Sequence, residues 1–295
     1  VSRLNARAEN QGSKMTTRPY RSALYIPASK ERALEKAKSL AVDVILFDLE
    51  DAVAVDEKVA ARDLLMPWLA GADYGARKRI VRINALDTQW GPADAAALAG
   101  SDADAVLLPK VDGPADIDAI AALVPDLPVW AMIETPLGVM NAAAIASHPR
   151  LEGFVMGTND LAKDLNTRFV ADRGPLMTSL QLCLLAARAH GVIVLDGVYN
   201  AFKDDEGLRG ECAQGRDMGF DGKTLIHPAQ VAIANEGFAP SADEIALAKR
   251  QIAAFEEAEA NGQGVAVVDG KIVENLHIVT ANAVLAKAAA IAGME

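Results

Sequence analysis

The sequence predicts an α/β fold, a (β/α)8 TIM barrel followed by a C-terminal helix-hairpin-helix extension. Three observations carry that expectation. Eight short apolar runs alternate with Ala-, Leu- and charge-rich segments of helical character. The runs are nearly continuous in apolar residues, as in parallel strands buried on both faces by helices. The eight repeats occupy roughly 210 residues, which suits a closed barrel better than an open doubly wound sheet.

Taken in order, residues 1–14 are polar and irregular and read as an extension, with Met15 as a natural start; residues 1–19 are assigned to a flexible N-terminal extension. The strand candidates are SALYIP (22–27), DVILFDLE (43–50), RIVRIN (79–84), DAVLLPK (104–110), VWAMIET (129–135), EGFVMGTND (152–160), VIVLDGV (192–198) and GKTLIHP (222–228). They place the barrel over residues 20–238. Residues 239–295 then hold a long helix (243–261), a pair of short strands (265–274) and a final Ala-rich helix. Asp269-Gly270 between the two strands is a hairpin signal. A segment of this size is not expected to form its own core, and should pack on the barrel or on a neighbouring subunit.

Composition excludes several classes. With 51% hydrophobic and 23% charged residues, the 295-residue chain is globular and not disordered. Its 29 basic and 40 acidic residues give a net charge of −11, which disfavours nucleic acid as a partner because a polyanion needs a basic surface. No uninterrupted apolar stretch approaches the ~18 residues of a membrane span, and the N-terminus has no apolar signal core, so no membrane partner and a cytoplasmic location are expected. Cys183 and Cys212 are the two cysteines, without a CxxC or Cys/His cluster, and are expected to be reduced thiols.

In a barrel of this type the chemistry sits at the C-terminal ends of the strands. There the sequence places Asp48, Glu50 and Asp51 (second strand), Arg82 and Asn84 (third), Lys110 (fourth), Glu134 (fifth), Asn159 and Asp160 (sixth) and Asp196 (seventh). Four strands thus aim carboxylates at one mouth. Crowded like charges repel unless a cation lies among them, and all-oxygen donors select a hard ion, Mg2+ or Mn2+, over Zn2+. Asp48, Glu50 and Asp51 could equally cap the following helix. Arg82 should either pair with these carboxylates or hold a substrate carboxylate through a two-point fork. Lys110, beside several acids, should keep a high pKa and make a poor amine nucleophile. His227 could be packed or functional, and the GQG at 262–264 precedes a strand and is not a dinucleotide fingerprint.

The ordered motifs Arg21-Ser-Ala-Leu-Tyr-Ile-Pro, Phe47-Asp-Leu-Glu-Asp-Ala-Val, Lys58, Ala61-Arg62, Arg82-Ile-Asn84, Leu108-Pro-Lys110, Ile133-Glu-Thr-Pro136, Gly157-Thr-Asn-Asp160-Leu, Gly222-Lys223 and Ile226-His-Pro228 resemble the citrate lyase beta-subunit-like (HpcH/HpaI aldolase) superfamily of CoA ester lyases. The resemblance runs from about residue 20 to the end of the chain. It implies that Glu134 and Asp160 ligate Mg2+ and that Glu50 and Asp51 hold metal-bound waters. It further implies that Arg82 contacts acyl oxygens and that Tyr25, Lys30 and Lys36 contact coenzyme A. A C-terminal hairpin acid, usually Asp in the family and here Glu274, would reach the active site of an adjacent subunit in a homotrimer or hexamer.

The resemblance is nearest, at Val198-Tyr-Asn-Ala-Phe and Asp269-Gly-Lys-Ile-Val-Glu-Asn, to members that hydrolyse (3S)-malyl-CoA to malate and CoA. Aldol-type cleavage of malyl-, methylmalyl- or citramalyl-CoA, and a citrate lyase beta-like subunit, are the alternatives. CoA-independent aldolases of the superfamily carry a His near the end of the second strand, where this chain reads Asp48-Leu-Glu-Asp51. In the expected chemistry, Mg2+ and Arg82 stabilise developing negative charge while a carboxylate acts as general base.

Overall fold

The computed structural model describes residues 18–294, so the N-terminal extension expected over 1–19 lies almost wholly outside the described residues. Strands β1 (Ser22–Pro27), β2 (Val44–Asp48), β3 (Lys78–Arg82), β4 (Ala105–Leu108), β5 (Val129–Ile133), β6 (Leu151–Met156), β7 (Ile193–Asp196) and β8 (Gly222–Leu225) form a closed parallel barrel in chain order, β8 pairing with β1. The connections carry α1 (Glu31–Ala37), α2 (Lys58–Gly71), α3 (Gly91–Leu98), α4 (Pro114–Leu123), α5 (Pro136–Met140), α6 (Ala142–Ala146), α7 (Thr158–Asp164), α8 (Met177–His190), α9 (Asp205–Met218) and α10 (Val231–Phe238). The eight-stranded barrel read from the apolar runs is the observed fold.

Several strands stop short of the runs that predict them. The run 43–50 leaves the ladder after Asp48, and the run 152–160 leaves it after Met156 and enters α7. The polar ends of these runs turn off the sheet to form the loops above the mouth.

Side chains alternate between two apolar layers, as period-2 strands require. Ala23, Val44, Leu46, Ile80, Ala105, Leu107, Trp130, Met132, Val155 and Leu195 fill the barrel interior. Leu24, Ile45, Phe47, Val81, Val106, Ala131, Phe154, Val194 and Leu225 pack outward in the larger layer shared with the helices. This parity fixes which strand-end residues face the mouth. Tyr25, Asp48, Arg82 and Glu134 share the inward register, whereas Asp196 follows the inward Leu195 and faces the helices.

A second compact unit begins at Ala239. Its α11 (Ala242–Ala260) opens with a reciprocal cap in which the Glu244 N–H donates to Ser241 Oγ and the Ser241 N–H to Glu244 Oε2. β9 (Ala266–Val268) and β10 (Lys271–Val273) form an antiparallel hairpin. Asp269 and Gly270 between them have φ of +50° and +74°, the pair of positive values a two-residue type I′ turn needs. α12 (Asn275–Ala292) follows. This unit does have a small core, Phe255, Ala258, Ala266 and Val273, contrary to the expectation that a segment of this length would form none. The hairpin makes the difference by folding Ala266 and Val273 onto α11. α12 is also long and apolar enough to cross a membrane by length and composition, with mean hydropathy 1.3 over 18 residues. It escapes a count of uninterrupted apolar residues because His277, Thr280, Asn282 and Lys287 break the run.

Closure of the barrel leaves no room at the start of β8. A Cβ on Gly222 would lie 1.8 Å from the Tyr20 carbonyl oxygen, a backbone atom that can yield only if the β1–β8 seam moves. Gly222→Ala should therefore cost on the order of 2 kcal/mol or more, at the overpacking end for a single methyl. Urea denaturation checks this, and a stability within about 0.5 kcal/mol of wild type, as for an ordinary surface change, would contradict the seam as described.

Candidate active site

Arg82, the last residue of β3, places a buried guanidinium across the barrel mouth. Its Nε donates to Asp48 Oδ1 at 2.8 Å and its Nη2 to Asp48 Oδ2 at 2.6 Å, a two-point fork between neighbouring strand ends. Asp48 also accepts the N–H groups of Glu50 and Ala52, so one carboxylate shapes the loop after β2 and holds Arg82. Lys58 completes that loop by donating to the carbonyls of Leu49 and Glu50 at 3.1 and 2.7 Å. Asp48 thus caps the local turn, and Arg82 takes the first of its two expected uses, pairing with a carboxylate of the mouth.

The fork occupies one edge of the guanidinium. The other edge presents Nη1 to Glu50 Oε2 at 2.8 Å and to Asp51 Oδ2 at 3.3 Å. The Glu50 contact is an ion pair without hydrogen-bond alignment, which leaves buried Oε2 without a hydrogen bond. The Tyr25 ring packs on the guanidinium at 4.7 Å, a cation–π contact inside the mouth.

Glu134 stands one residue past β5 and is buried. Its Oε1 accepts the Lys110 N–H at 2.8 Å. The space beside its carboxylate exists because residue 157 is glycine: a Cβ there would lie 2.6 Å from Glu134 Oε2. Asp160 comes from the first turn of α7 and not from the end of β6, and its Oδ2 lies 3.7 Å from Lys110 Nζ. Burial first, and then the charge of Glu50, pushes the Glu134 carboxyl up to about 8. Burial, partly opposed by Arg82, pushes Glu50 up to about 7. Burial of Lys110 works against its charge, but Asp160, Glu134, Glu50 and Asp51 outweigh it and hold the ammonium above its ordinary pKa, which rules against an amine nucleophile.

Asp196 does not join this group, a correction to the sequence expectation. It is fully buried on the helix side of the barrel, where Arg173 Nη1 donates to both its oxygens at 2.7 Å and Lys223 Nζ donates at 3.0 Å. Burial alone would raise its pKa; Lys223 and Arg173 outweigh burial and hold it below the usual carboxylate range. Glu211 accepts a second bond from Lys223, so the motif lysine of β8 is used between sheet and α9. The ends of two strands, β2 and β5, and the first turn of α7 supply the carboxylates of the mouth.

The remaining expected residues scatter. Asn84 donates to Leu49 O and Asp94 Oδ2 and serves the loop packing. Lys30 is exposed after β1 and pairs with Glu57 at 3.1 Å, and Lys36 is exposed in the last turn of α1. His227 stacks on Phe202 at 4.6 Å and accepts the Ala229 N–H. Glu274, in the second unit, is the exposed residue preceding α12, and its N–H donates to His277 Nδ1.

Among the described residues no three His, Cys, Asp or Glu side chains converge as a closed cage. Glu134 and Asp160 form an open pair instead, the kind of site in which a hard cation keeps waters or substrate oxygens. The mouth can therefore hold a hard cation beside a fixed arginine and polarise an oxygen between them.

A barrel whose mouth joins this acid pair to an arginine locked by the second strand defines a class, and the chain belongs to the HpcH/HpaI aldolase/citrate lyase family, whose model matches residues 21–228. It is 70% identical over 274 residues to a (3S)-malyl-CoA thioesterase of Cereibacter sphaeroides, covering 93% of this chain and 96% of that protein. It is 33% identical to an L-malyl-CoA/beta-methylmalyl-CoA lyase of the same species, over 92% of this chain and 95% of that one. Among solved structures, CitE of Mycobacterium tuberculosis in complex with magnesium, acetoacetate and coenzyme A superposes with a TM-score of 0.80, at 32% identity, covering 93% of this chain and all of that one.

The raised carboxyls make stability depend on pH. In the unfolded chain Glu50 and Glu134 lose their protons near ~4.3, whereas in the fold they hold them to about 7 and about 8. The unfolded state binds fewer protons across that window, so stability falls as pH rises from about 5 to 8. The urea midpoint in the absence of divalent ions should decline over this range, and less steeply in Glu134→Gln. An equal or steeper decline in that variant would contradict the assignment.

Proposed function

We propose that this protein is a Mg2+-dependent acyl-CoA enzyme that hydrolyses (3S)-malyl-CoA to malate and CoA. The observation that carries the reading is the mouth itself. Glu134 and Asp160 are open to a cation, and Arg82, forked on Asp48, turns its other edge to Glu50 and Asp51 at the same mouth. The 70% identity to a (3S)-malyl-CoA thioesterase supports the substrate class and the reaction.

On this reading Glu134 and Asp160 would hold the ion, and Glu50 and Asp51 would accept hydrogen bonds from waters beside it. Buried Glu50 Oε2, ion-paired with Arg82 but without a hydrogen bond, and the acid pair bridged by Lys110 fit such a role. When bound, Mg2+ supplies Lewis-acid stabilisation of an acyl oxygen; Mn2+ offers the same donor preference. Arg82 turns its Nη1 edge to the acyl oxygens and stabilises the charge that develops there, held in place by Asp48 so that no reorganisation is needed during the reaction. Tyr25 closes one side of the arginine, and Lys30 and Lys36 supply positive charge for the carrier phosphates, which an acidic protein needs locally. A carboxylate takes a proton from water as it adds to the thioester carbonyl and returns it to the sulfur as the C–S bond breaks, so that CoA leaves as the thiol. Glu274 is assigned to this step from an adjacent subunit of a homotrimer or hexamer working in the cytoplasm.

Reversible carbon–carbon cleavage is the second reading, favoured by the 33% identical lyase. There the same base removes the 3-hydroxyl proton, and the same oxyanion stabilisation serves an enolate.

Purified protein given (3S)-malyl-CoA and Mg2+ should release malate and free CoA in excess over glyoxylate. Asp160→Asn and Glu134→Gln should each lower turnover by about 100-fold or more, because a neutral amide replaces a charged oxygen ligand poorly. Full activity in excess EDTA would exclude the metal roles, and glyoxylate as the dominant product would move the assignment to the lyase.

A further inference from the structure

Lys110 touches both members of the acid pair. Its N–H donates to Glu134 Oε1 at 2.8 Å, and its Nζ lies 3.7 Å from Asp160 Oδ2. The backbone at Lys110 is left-handed, with φ +53°, a conformation unfavourable for a residue with a long side chain. Holding the N–H on Glu134 while the ammonium turns to Asp160 gives that conformation a use. The side chain is 53% exposed, so the ammonium can move into water without abandoning a buried partner. Arg82 cannot substitute for it, since its guanidinium is forked on Asp48.

We infer that Lys110 is a built-in competitor for the cation position, its ammonium compensating the Glu134–Asp160 pair until a divalent ion displaces it. This rests on the assignment of those two residues to the ion. Two consequences follow from charge alone. The ammonium keeps the mouth from repelling itself when no ion is bound, and it weakens the net attraction for any ion that enters. A monovalent ion that displaces it exchanges one charge for another with no electrostatic gain, while a divalent ion gains a full charge. Lys110 therefore sets both the affinity and the preference for a doubly charged ion.

Calorimetric titration with Mg2+ alone, without substrate, tests this on wild type, Lys110→Met, Lys110→Gln, Lys110→Arg and Asp160→Asn. Removing the charge in Lys110→Met or Lys110→Gln should tighten Mg2+ binding by about tenfold or more, while Lys110→Arg stays within about threefold of wild type. In the two neutral variants, added K+ should compete with Mg2+ more strongly than it does in wild type. Asp160→Asn should abolish binding. If the neutral variants bind Mg2+ as wild type does, or more weakly, while Asp160→Asn abolishes binding, the competitor role is overturned and the ion site stands. If Asp160→Asn binds as wild type does, the ion site falls and the competitor role with it.

Discussion

The buried two-point pair between Asp48 and Arg82 is the contact on which the mouth of this barrel depends. Two charged groups on adjacent strand ends are taken out of water together, which is costly unless the geometry is good and the remaining donors and acceptors are used. Here Asp48 also accepts two N–H groups of the loop it begins, so the pair fixes both the arginine and the backbone that carries Glu50 and Asp51. With Arg82 neutralised on one edge, the surrounding acids exceed the positive charge available to them. Burial, opposed in part by Arg82 and reinforced at Glu134 by the charge of Glu50, raises both carboxyls.

The route from sequence to this site is direct for some residues and closed for others. Eight near-continuous apolar runs can be buried only as parallel strands under helices, and that logic yields the barrel. Arg82 and Glu134 are visible because a charged residue at or just past the end of an apolar run must find a use. Asp196 ends a run in the same way and is misread as part of the mouth. Whether a strand-end residue faces the axis or the helices is set by parity, and parity depends on which of Val194 and Leu195 is inside, a fact of barrel register that a fully apolar strand conceals. Arg173 and Lys223, the partners of Asp196, come from a loop and a strand distant in the chain.

Other features of the mouth carry no local signal in the sequence. Gly157 stands where a Cβ would strike Glu134, a requirement no composition reveals. The left-handed backbone at Lys110 follows a Pro and precedes a Val, with no glycine or asparagine to announce it. The Ser241–Glu244 cap and the Asp269-Gly270 turn, by contrast, are written in residue type and appear as such. The small core of the second unit depends on that turn. Fold and fixed arginine belong to the barrel, while the choice between hydrolysis and carbon–carbon cleavage rests on where a base and a water stand, which one fold can vary widely.

Anomalous diffraction from crystals of the protein soaked in Mn2+ bears most directly on the claim that a locked arginine leaves an acid pair free for a hard cation. The account predicts a single strong peak in the mouth, against the carboxylates of Glu134 and Asp160, with Arg82 still forked on Asp48. A peak bound instead to Asp48, with Arg82 released from it, would contradict the account.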